Sequence, residues 1–213
     1  MIRLKIGIVP VTAFQQNCAL IWNEDTSKGV VVDPGGDVPN ILSAIEQAGI
    51  QVENILLTHG HLDHVGGAME LKEALRVEII GPHIDDKPIC ESVEETAQKY
   101  GLGDAMKNCT PDRWLEEGET VSIGGADFEV YHCPGHAPGH VIFYSAAHKF
   151  AHVGDVLFKG SVGRTDLPGG DHDQLIASIK NKLLPLGDDV NFLCGHGPGG
   201  TLGEERQTNP FLQ

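Results

Sequence analysis

Four β-rich segments of this chain each run into a histidine or an aspartate, and this repeated ending constrains the fold more than any other feature. The segments end at His59, His136, Asp155 and His196. Loops that follow strands are held by a rigid sheet, and the ends of neighbouring strands meet at one edge of it. We therefore expect the four side chains to meet at a common rim of a sheet-based scaffold.

The hydrophobic pattern predicts strands interspersed with helices. Alternating or β-branched runs predict strands at residues 4–9, 19–22, 30–32, 55–57, 77–80, 128–131, 141–144, 151–153 and 191–193. Helical spacing predicts helices at residues 40–48, 68–75, 91–100, 174–183 and 202–207, the third of them a lid or an insertion. Gly124-Gly125 predicts a hairpin turn, and Asp171 is a candidate helix cap. No linker or repeat divides the chain, so we expect one layered domain of mixed α and β structure over residues 1–213.

The charge balance excludes several classes of partner. Asp and Glu number 30 against 15 Lys and Arg, for a formal net charge of -15, which disfavours a nucleic-acid or anionic-membrane surface. No apolar run reaches a membrane-spanning length, and the N-terminus does not resemble a signal peptide. The cysteines lack CxxC spacing and fit reduced thiols in the cytoplasm; they are Cys18, Cys90, Cys109, Cys133 and Cys194.

The densest cluster of potential metal ligands spans residues 59–64. His59 and His61 are two residues apart, so in an extended segment they project from the same face and both reach one metal. Asp63 and His64 follow as the chain turns towards a helix, where they can address a second metal. Asp63 could instead cap that helix, but three histidines and an aspartate in six positions favour metal binding. Whether Cys133 or Cys194 reaches the site stays open, although no thiolate is needed.

These residues resemble the HxHxDH signature of the metallo-β-lactamase superfamily. The resemblance runs from about Val11 to the C-terminus and includes PGHAPGH at residues 134–140, Gly154-Asp155, GRTD at residues 163–166, Gly195-His196 and NPF at residues 209–211. Within the superfamily, the chain is most similar to the single-domain glyoxalase II-like hydrolases. The resemblance implies a four-layer αββα sandwich with two divalent metal ions at its rim.

The resemblance also implies the role of each ligand. His59, His61 and His136 would hold one metal, Asp63, His64 and His196 the other, and Asp155 would bridge both. His140 would stand behind the ligands and orient one of them or a loop. Zinc is the metal we expect first, and the mixed set of imidazoles and carboxylates also accepts iron or manganese.

The implied reaction is hydrolysis of S-D-lactoylglutathione or a similar thioester. A hydroxide that bridges two metals would attack the acyl carbon, with Asp63 fixing its direction. A thiolate leaving group needs little help from an acid, because a free thiol has a pKa of about 8.5. Lys159 and Arg164 are the basic residues nearest in sequence to the motif ligands, in the stretch after Asp155. They are candidate contacts for a substrate carboxylate. The alternative is that both are solvated charges of a surface loop.

Two departures from the larger glyoxalase II enzymes leave it open whether this chain recognises glutathione specifically. The sequence also leaves the oligomeric state open. Those enzymes carry a C-terminal helical domain, which we do not expect here because the chain ends at Gln213, soon after His196. They also have two tyrosines where this chain has Asp166 and the pair Gly197-Pro198. The missing contacts concern substrate binding rather than the metal chemistry.

Three other functions compete with thioester hydrolysis. The GRTD stretch also resembles the persulfide dioxygenases, which use a single iron, whereas the full set of seven ligands favours two metals. RNA processing is disfavoured by the net charge, and a non-enzymatic metal-dependent scaffold is the remaining alternative.

A zinc β-lactamase commonly has cysteine at the position of Asp155 together with an export signal, and we find neither feature.

Overall fold

The computed structural model describes residues 2–102 and 105–213. A first sheet has five strands in sequence order: β1 (Leu4–Val11), β2 (Gln16–Asn23), β3 (Lys28–Val32), β4 (Gln51–Leu56) and β5 (Glu78–Ile80). The first three strands pair antiparallel, and β3, β4 and β5 run parallel. Because β3 lies between two strands and is covered on both faces, four of its five residues are buried.

The second sheet has six strands. The remaining strands of the chain are β6 (Thr120–Ile123), β7 (Ala126–His132), β8 (Val141–Ser145), β9 (Phe150–Gly154), β10 (Leu157–Phe158), β11 (Ser161–Val162), β12 (Asn191–Cys194) and β13 (Gly200–Thr201). Their order in this sheet is β13–β12–β9–β8–β7–β6, and β10 and β11 form a separate short hairpin. β12 runs parallel to β9, so Cys194 pairs with Gly154 and the chain leaves both strands at the same edge.

Helices cover the outer face of each sheet. The α-helices are α1 (Val38–Ala48), α2 (Leu62–Val65), α3 (Ala68–Leu75), α4 (Lys87–Cys90), α5 (Val93–Lys99), α6 (His172–Ser178) and α7 (Leu202–Thr208). Single turns of 3-10 helix span Ile84–Asp86 and Leu184–Leu186, and α6 continues as a π-helix over Ile179–Leu183. None of the described helices has both the length and the apolar character needed to cross a membrane.

Three apolar cores account for the layering. Ile21 and Val30 of the first sheet pack against Phe128, Val130 and Phe143 of the second, and this core holds the two sheets face to face. A second core joins the outer face of the first sheet to the helices from α1 to α5, and a third joins the second sheet to α6 and α7. Each fully buried large apolar side chain contributes about 1.5–3 kcal/mol. The four-layer αββα sandwich predicted from the sequence is confirmed.

Most predicted elements are confirmed, with shifted ends. The third helix lies within its predicted range, and the hairpin turn at Gly124-Gly125 joins β6 to β7. Asp171 caps α6, its carboxylate accepting a hydrogen bond from the backbone N–H of Gln174 at 2.9 Å. The two-residue strands β10, β11 and β13 were not predicted, because two residues cannot display a period.

Candidate metal centre

Three histidines from two loops form a first cluster: His59, His61 and His136. One ring nitrogen from each lies within 4.8 Å of the others, and Nδ1 of His61 is 2.9 Å from Nε2 of His136. His59 and His61 follow β4, and His136 follows β7. The extended backbone at His61, with φ -64° and ψ 148°, lets both early histidines face the same point.

A second cluster is formed by Asp63, His64 and His196, whose donor atoms also lie within 4.8 Å of one another. Asp63 and His64 lie on α2, and His196 follows β12. Nε2 of His196 is 3.1 Å from Oδ2 of Asp63, and Nε2 of His64 is 3.7 Å from the same oxygen. The sharp turn that carries Asp63 requires a glycine at position 35, because a Cβ there would lie 1.5 Å from the Asp63 carbonyl oxygen.

Asp155 lies between the two clusters. Its Oδ2 atom is 3.6 Å from Nε2 of His136 in the first cluster. The same oxygen is 3.5 Å from Nε2 of both His64 and His196 in the second cluster. One carboxylate therefore faces donors from both clusters at nearly equal distance.

Hydrogen bonds behind the clusters fix which ring nitrogen faces inward. Nδ1 of His136 donates to the Arg164 carbonyl oxygen at 2.7 Å, and Nδ1 of His196 donates to that of Phe14 at 3.2 Å. Nδ1 of His59 donates to the Thr58 hydroxyl at 3.0 Å. Each Nε2 therefore carries a lone pair directed into the cluster, which is the state that a metal ligand needs.

Asp33 organises both clusters, and the sequence analysis missed it. Its buried carboxylate accepts hydrogen bonds from the Thr58 N–H at 2.8 Å, the Thr58 hydroxyl at 2.6 Å and Nδ1 of His64 at 2.9 Å. The signal was present, because the predicted strand at residues 30–32 also ends in an acidic residue. Since its oxygens are engaged by these donors, Asp33 stands behind the ligands rather than among them.

Two further residues hold the loops in place. Buried Asp86 accepts hydrogen bonds from the Gly60 N–H at 2.7 Å and the Gly139 N–H at 2.5 Å, which ties the loops of His59 and His136 together. Burial raises the pKa of Asp86 to about 6. Asn17 donates from its amide to the carbonyl oxygens of Cys194 and Gly197, on either side of His196. Neither residue belongs to a motif that sequence analysis could single out.

The electrostatics of the clusters favour bound cations. Burial lowers the pKa of His59 well below its ordinary value and that of His61 to about 3, so both rings are neutral at pH 7. Burial opposes protonation of His64, but the carboxylates of Asp155 and Asp63 outweigh it and raise the His64 pKa well above its ordinary value. The second cluster therefore attracts positive charge strongly, which a divalent cation supplies.

Buried polar atoms without partners mark where such cations fit. Nε2 of His59, Nε2 of His64 and Oδ1 of Asp155 are buried and have no hydrogen-bond partner among the described residues. An unsatisfied buried polar atom destabilises the fold by about 1–3 kcal/mol. Three such atoms in one place indicate that a ligand binds there. Imidazole and carboxylate donors in this arrangement suit divalent metal ions.

His140 lies directly behind the first cluster. Its ring stacks on that of His59, with centroids 4.6 Å apart and planes 16° apart. Its Nε2 accepts a hydrogen bond from the Asp155 backbone N–H at 3.0 Å. The structure thus places His140 in contact with two candidate ligands, His59 and Asp155.

The two thiols close to candidate ligands in sequence do not enter the clusters. Cys133 is buried in the core between the second sheet and its helices. The Cys194 thiol lies 3.0 Å from the His196 carbonyl oxygen and 3.3 Å from that of Pro198. Burial raises the pKa of each thiol to about 12, so neither is a thiolate near neutral pH.

A further histidine cluster lies elsewhere on the surface. His83 and His132 stack with centroids 4.2 Å apart and planes 21° apart, close to Asp85. Nδ1 of His83 accepts a hydrogen bond from the Asp85 N–H, and Nε2 of His132 donates to the Pro138 carbonyl oxygen. Because the lone pairs of stacked rings lie in nearly parallel planes, they do not converge on one ion.

The candidate metal centre forms the floor of a cavity of about 1000 Å³. Apolar side chains such as Phe14, Leu62 and Phe158 make up much of its wall, and Lys159 and Arg164 also line it. Arg164 forms a two-pronged ion pair with Asp166, at 2.6 and 2.7 Å. Lys159 lies 3.4 Å from Glu204. Both predicted basic residues therefore face the cavity, although each already has a carboxylate partner.

Comparison with known protein families agrees with this geometry. The family model described as the metallo-beta-lactamase superfamily matches residues 11–196. The chain belongs to the metallo-β-lactamase superfamily. The match begins before β2 and ends at His196, so it includes every strand end that carries a candidate ligand of this metallo-β-lactamase fold.

Relatives and solved structures within the superfamily cover nearly the whole chain. Hydroxyacylglutathione hydrolase GloC of Haemophilus influenzae is 49% identical over 210 residues, which are 98% of each chain. The crystal structure of BLEG-1 B3 metallo-beta-lactamase has a TM-score of 0.89 at 34% identity and covers 99% of each chain. That of TTHA1623 in a di-iron-bound form has a TM-score of 0.88 at 42% identity, covering 97% of this chain and 100% of that one.

Proposed function

We propose that this chain is a dinuclear metal hydrolase that cleaves S-D-lactoylglutathione or a similar thioester. The observation that carries the proposal is the position of Asp155, whose Oδ2 lies 3.5–3.6 Å from donors of both clusters. One carboxylate shared between two donor sets is typical of two-metal hydrolytic sites. The similarity to a hydroxyacylglutathione hydrolase over nearly all of both chains supports the thioester as substrate.

We assign the metal ligands as the resemblance to the superfamily implies. His59, His61 and His136 would hold one ion, Asp63, His64 and His196 would hold the second, and Asp155 would serve both. Zinc is the ion we propose first, and iron is the main alternative, because a relative with 42% identity has been solved in a di-iron form. When bound, two such ions lower the pKa of water and polarise an acyl carbonyl oxygen.

Asp63 is the residue that we propose as catalytic. Its side chain is 17% exposed and lines the cavity, so one carboxylate oxygen can accept a hydrogen bond from the attacking water and aim it. Oδ2 of the same carboxylate lies 3.1 Å from Nε2 of His196, so it faces the second cluster together with that ring nitrogen. The leaving thiolate needs no acid from the chain, since thiols have a pKa of about 8.5.

Lys159 and Arg164 are the substrate contacts that we propose for a carboxylate. Both line the cavity, and their pairs with Glu204 and Asp166 are exposed. Exposed ion pairs contribute about 0–1 kcal/mol, so a substrate carboxylate can share or replace the partner at little cost.

We further propose a cytoplasmic enzyme that acts on small molecules as one domain over residues 1–213. All five cysteines are free and buried, which fits a reducing compartment. The net charge of -15 argues against nucleic acid as a partner. Because the candidate ligands span residues 59 to 196, one domain has to bring both halves of the chain together.

The direct test is steady-state hydrolysis of S-D-lactoylglutathione by metal-loaded protein, with thiol release as the readout. Wild type should turn over, and Asp63→Asn should lose about 10²-fold or more in kcat, because an amide neither binds the metal well nor aims the water. Circular dichroism should show both proteins folded. Asp189→Asn serves as the control, since Asp189 is an exposed partner of Lys149 outside the cavity lining.

Two results would contradict the proposal. Near-normal hydrolysis by Asp63→Asn would remove Asp63 from the mechanism. If wild type left thioesters intact but oxidised glutathione persulfide with oxygen uptake, the persulfide dioxygenase function would replace the hydrolase.

A further inference from the structure

One wall of the cavity is formed by α5 and the residues at its two ends. Ser92, Thr96, Lys99 and Tyr100 follow the spacing i, i+4, i+7 and i+8, which places them along one helical face. All four line the cavity. Ala97 is buried in the core that α5 shares with the first sheet, so this face is held towards the cavity.

The helix α5 also packs against α2, which carries Asp63 and His64. The polar face of α5 is therefore connected to the metal centre through one helix contact. The sequence analysis singled out this helix as a lid or an insertion, and the structure places it as a wall of the cavity.

Cations gather around this cavity against the charge of the molecule as a whole. Lys99, Lys159 and Arg164 line it, in a chain with a formal net charge of -15. Their side chains are 68%, 47% and 60% exposed, and Lys99 pairs with exposed Glu95 at 2.6 Å. Among the described residues that line the cavity, the acidic ones are Asp63 and Asp155, both assigned to the metals.

Tyr100 adds an aromatic ring and a hydroxyl to the same region. The residue is 58% exposed, unusual for a large aromatic residue, and it lines the cavity. It lies close to Arg164: the pKa of that guanidinium is raised first by the Asp166 hydrogen bond and charge and, to a smaller extent, by Tyr100. Tyr100 and Arg164 therefore bound the same part of the cavity.

We propose that Lys99 and Tyr100 on the α5 wall, together with Arg164, bind the carboxylates of the thiol half of the substrate. The inference rests on the proposed thioesterase function. The acyl carbon has to reach Asp63 and Asp155 on the floor, and a small acyl group fills little of a cavity of about 1000 Å³. The thiol half occupies the remainder, where the cations and the phenol of Tyr100 meet its carboxylates.

The net charge of the whole protein makes the proposed site testable, because it predicts which of two ligands should bind more tightly without that site. A body with a net charge of -15 attracts cations and repels anions at long range. S-methylglutathione carries two carboxylates and one ammonium group, whereas its diethyl ester carries only the ammonium group. Without a local cationic site, the protein should bind the ester more tightly. A preference for the diacid therefore requires local cations, either the metal ions on the floor or side chains such as Lys99 and Arg164, and the Lys99 and Tyr100 variants separate these two sources.

The test is calorimetric binding of S-methylglutathione and of its diethyl ester to the metal-loaded protein; neither ligand is a thioester. Wild type should bind the diacid about tenfold more tightly, because two exposed charged contacts contribute about threefold each. Lys99→Gln should weaken diacid binding about threefold and Tyr100→Ala about fivefold, with little change for the ester. Tyr100→Phe separates the contribution of the hydroxyl from that of the ring.

Lys87→Gln is the matched control. Lys87 also forms an i, i+4 pair on a helix, with Glu91 at 3.8 Å and similar exposure, but it does not line the cavity. It should leave both affinities unchanged. In hydrolysis assays, Lys99→Gln and Tyr100→Ala should raise KM with kcat nearly constant, because they act on the unreactive half of the substrate.

The outcomes separate this inference from the proposed function. Equal affinities of wild type for the two ligands, or a Lys99→Gln variant that binds the diacid like wild type, would overturn the recognition site. If diacid binding depends on Lys99 and Tyr100 while no thioester is hydrolysed, the recognition site stands and the thioesterase function fails.

Discussion

A single carboxylate behind the ligands decides the state of the metal centre at the scale of residues. Asp33 accepts hydrogen bonds from Thr58 and from Nδ1 of His64. An ionised carboxylate only accepts, so when the His64 ring is neutral its one proton stays on Nδ1 and Nε2 keeps the lone pair that a metal ion needs. The same carboxylate holds the Thr58 hydroxyl, which in turn accepts from His59. One residue thus sets the tautomer of a candidate ligand in each cluster.

Asp33→Asn tests this role. The amide nitrogen donates towards Nδ1 of His64, which drives the imidazole proton onto Nε2, where the metal must bind. We expect metal affinity to fall about 10- to 100-fold, measured by competition with a chromophoric chelator. Asp189→Asn, at an exposed carboxylate, should bind metal like wild type. Unchanged affinity in Asp33→Asn would show that Asp33 does not set the tautomer.

The buried histidine His152 should make the free energy of unfolding depend on pH. It lies in β9, is fully buried, and neither ring nitrogen has a hydrogen-bond partner among the residues described. Burial lowers its pKa from 6.5 to about 4 in the folded protein, although the Asp33 carboxylate raises it. As the pH falls from 6.5 towards 4, His152 binds a proton in the unfolded chain but not in the folded chain. The free energy of unfolding therefore decreases over that pH range.

The loss assigned to His152 is about 2 kcal/mol at pH 5, approaching about 3 kcal/mol below pH 4. The apolar variant His152→Leu does not titrate. Urea unfolding of metal-free protein at pH 7 and pH 5 should therefore show a drop in the free energy of unfolding that is about 2 kcal/mol smaller in the variant. Equal drops in both proteins would mean that His152 titrates normally in the fold.

At the scale of elements, the parallel pairing of β9 with β12 positions the second cluster. Cys194 pairs with Gly154, and the Gly195 N–H donates to the Gly154 carbonyl oxygen at 2.8 Å. The two strands therefore deliver Asp155 and His196 side by side. The approach is so close that a Cβ on Gly195 would lie 2.1 Å from Oδ1 of Asp155 and 2.6 Å from Cε1 of His64.

Gly195→Ala should therefore displace Asp155 or His64 and remove the second metal. We expect elemental analysis to find about one equivalent or fewer in this variant, with hydrolysis reduced about 10²-fold or more. Gly7→Ala is the matched control, because a Cβ there has its nearest contact at 3.5 Å, with Trp22. A Gly195→Ala protein with full metal content and activity would show that the strand pairing does not determine the bridge.

Periodic and local signals made much of this arrangement predictable. The helix at residues 68–75 and the strand ends that carry His59, Asp155 and His196 follow from patterns within a few residues. Asn17 and Asp86 could not be found this way, because their partners lie at Gly197 and Gly139, far along the chain. The α5 face was not predicted as a cavity wall, because only the packing of α5 against α2 turns it towards the metal centre.

At the scale of the whole molecule, the metal centre joins the two sheets. His59, His61, Asp63 and His64 follow a strand of the first sheet, whereas the other candidate ligands, His136, Asp155 and His196, follow strands of the second. Each cluster takes donors from both sheets, so bound ions would connect the halves of the sandwich. The ions would also offset part of the formal charge of -15.

The number of metal ions per chain tests this account most directly. Protein saturated with metal and freed of excess should contain about two equivalents by elemental analysis, with anomalous scattering placing one ion at each cluster and Asp155 between them. A single ion at the first cluster, with no second site filled under excess zinc or iron, would contradict the dinuclear centre on which the proposed hydrolysis depends.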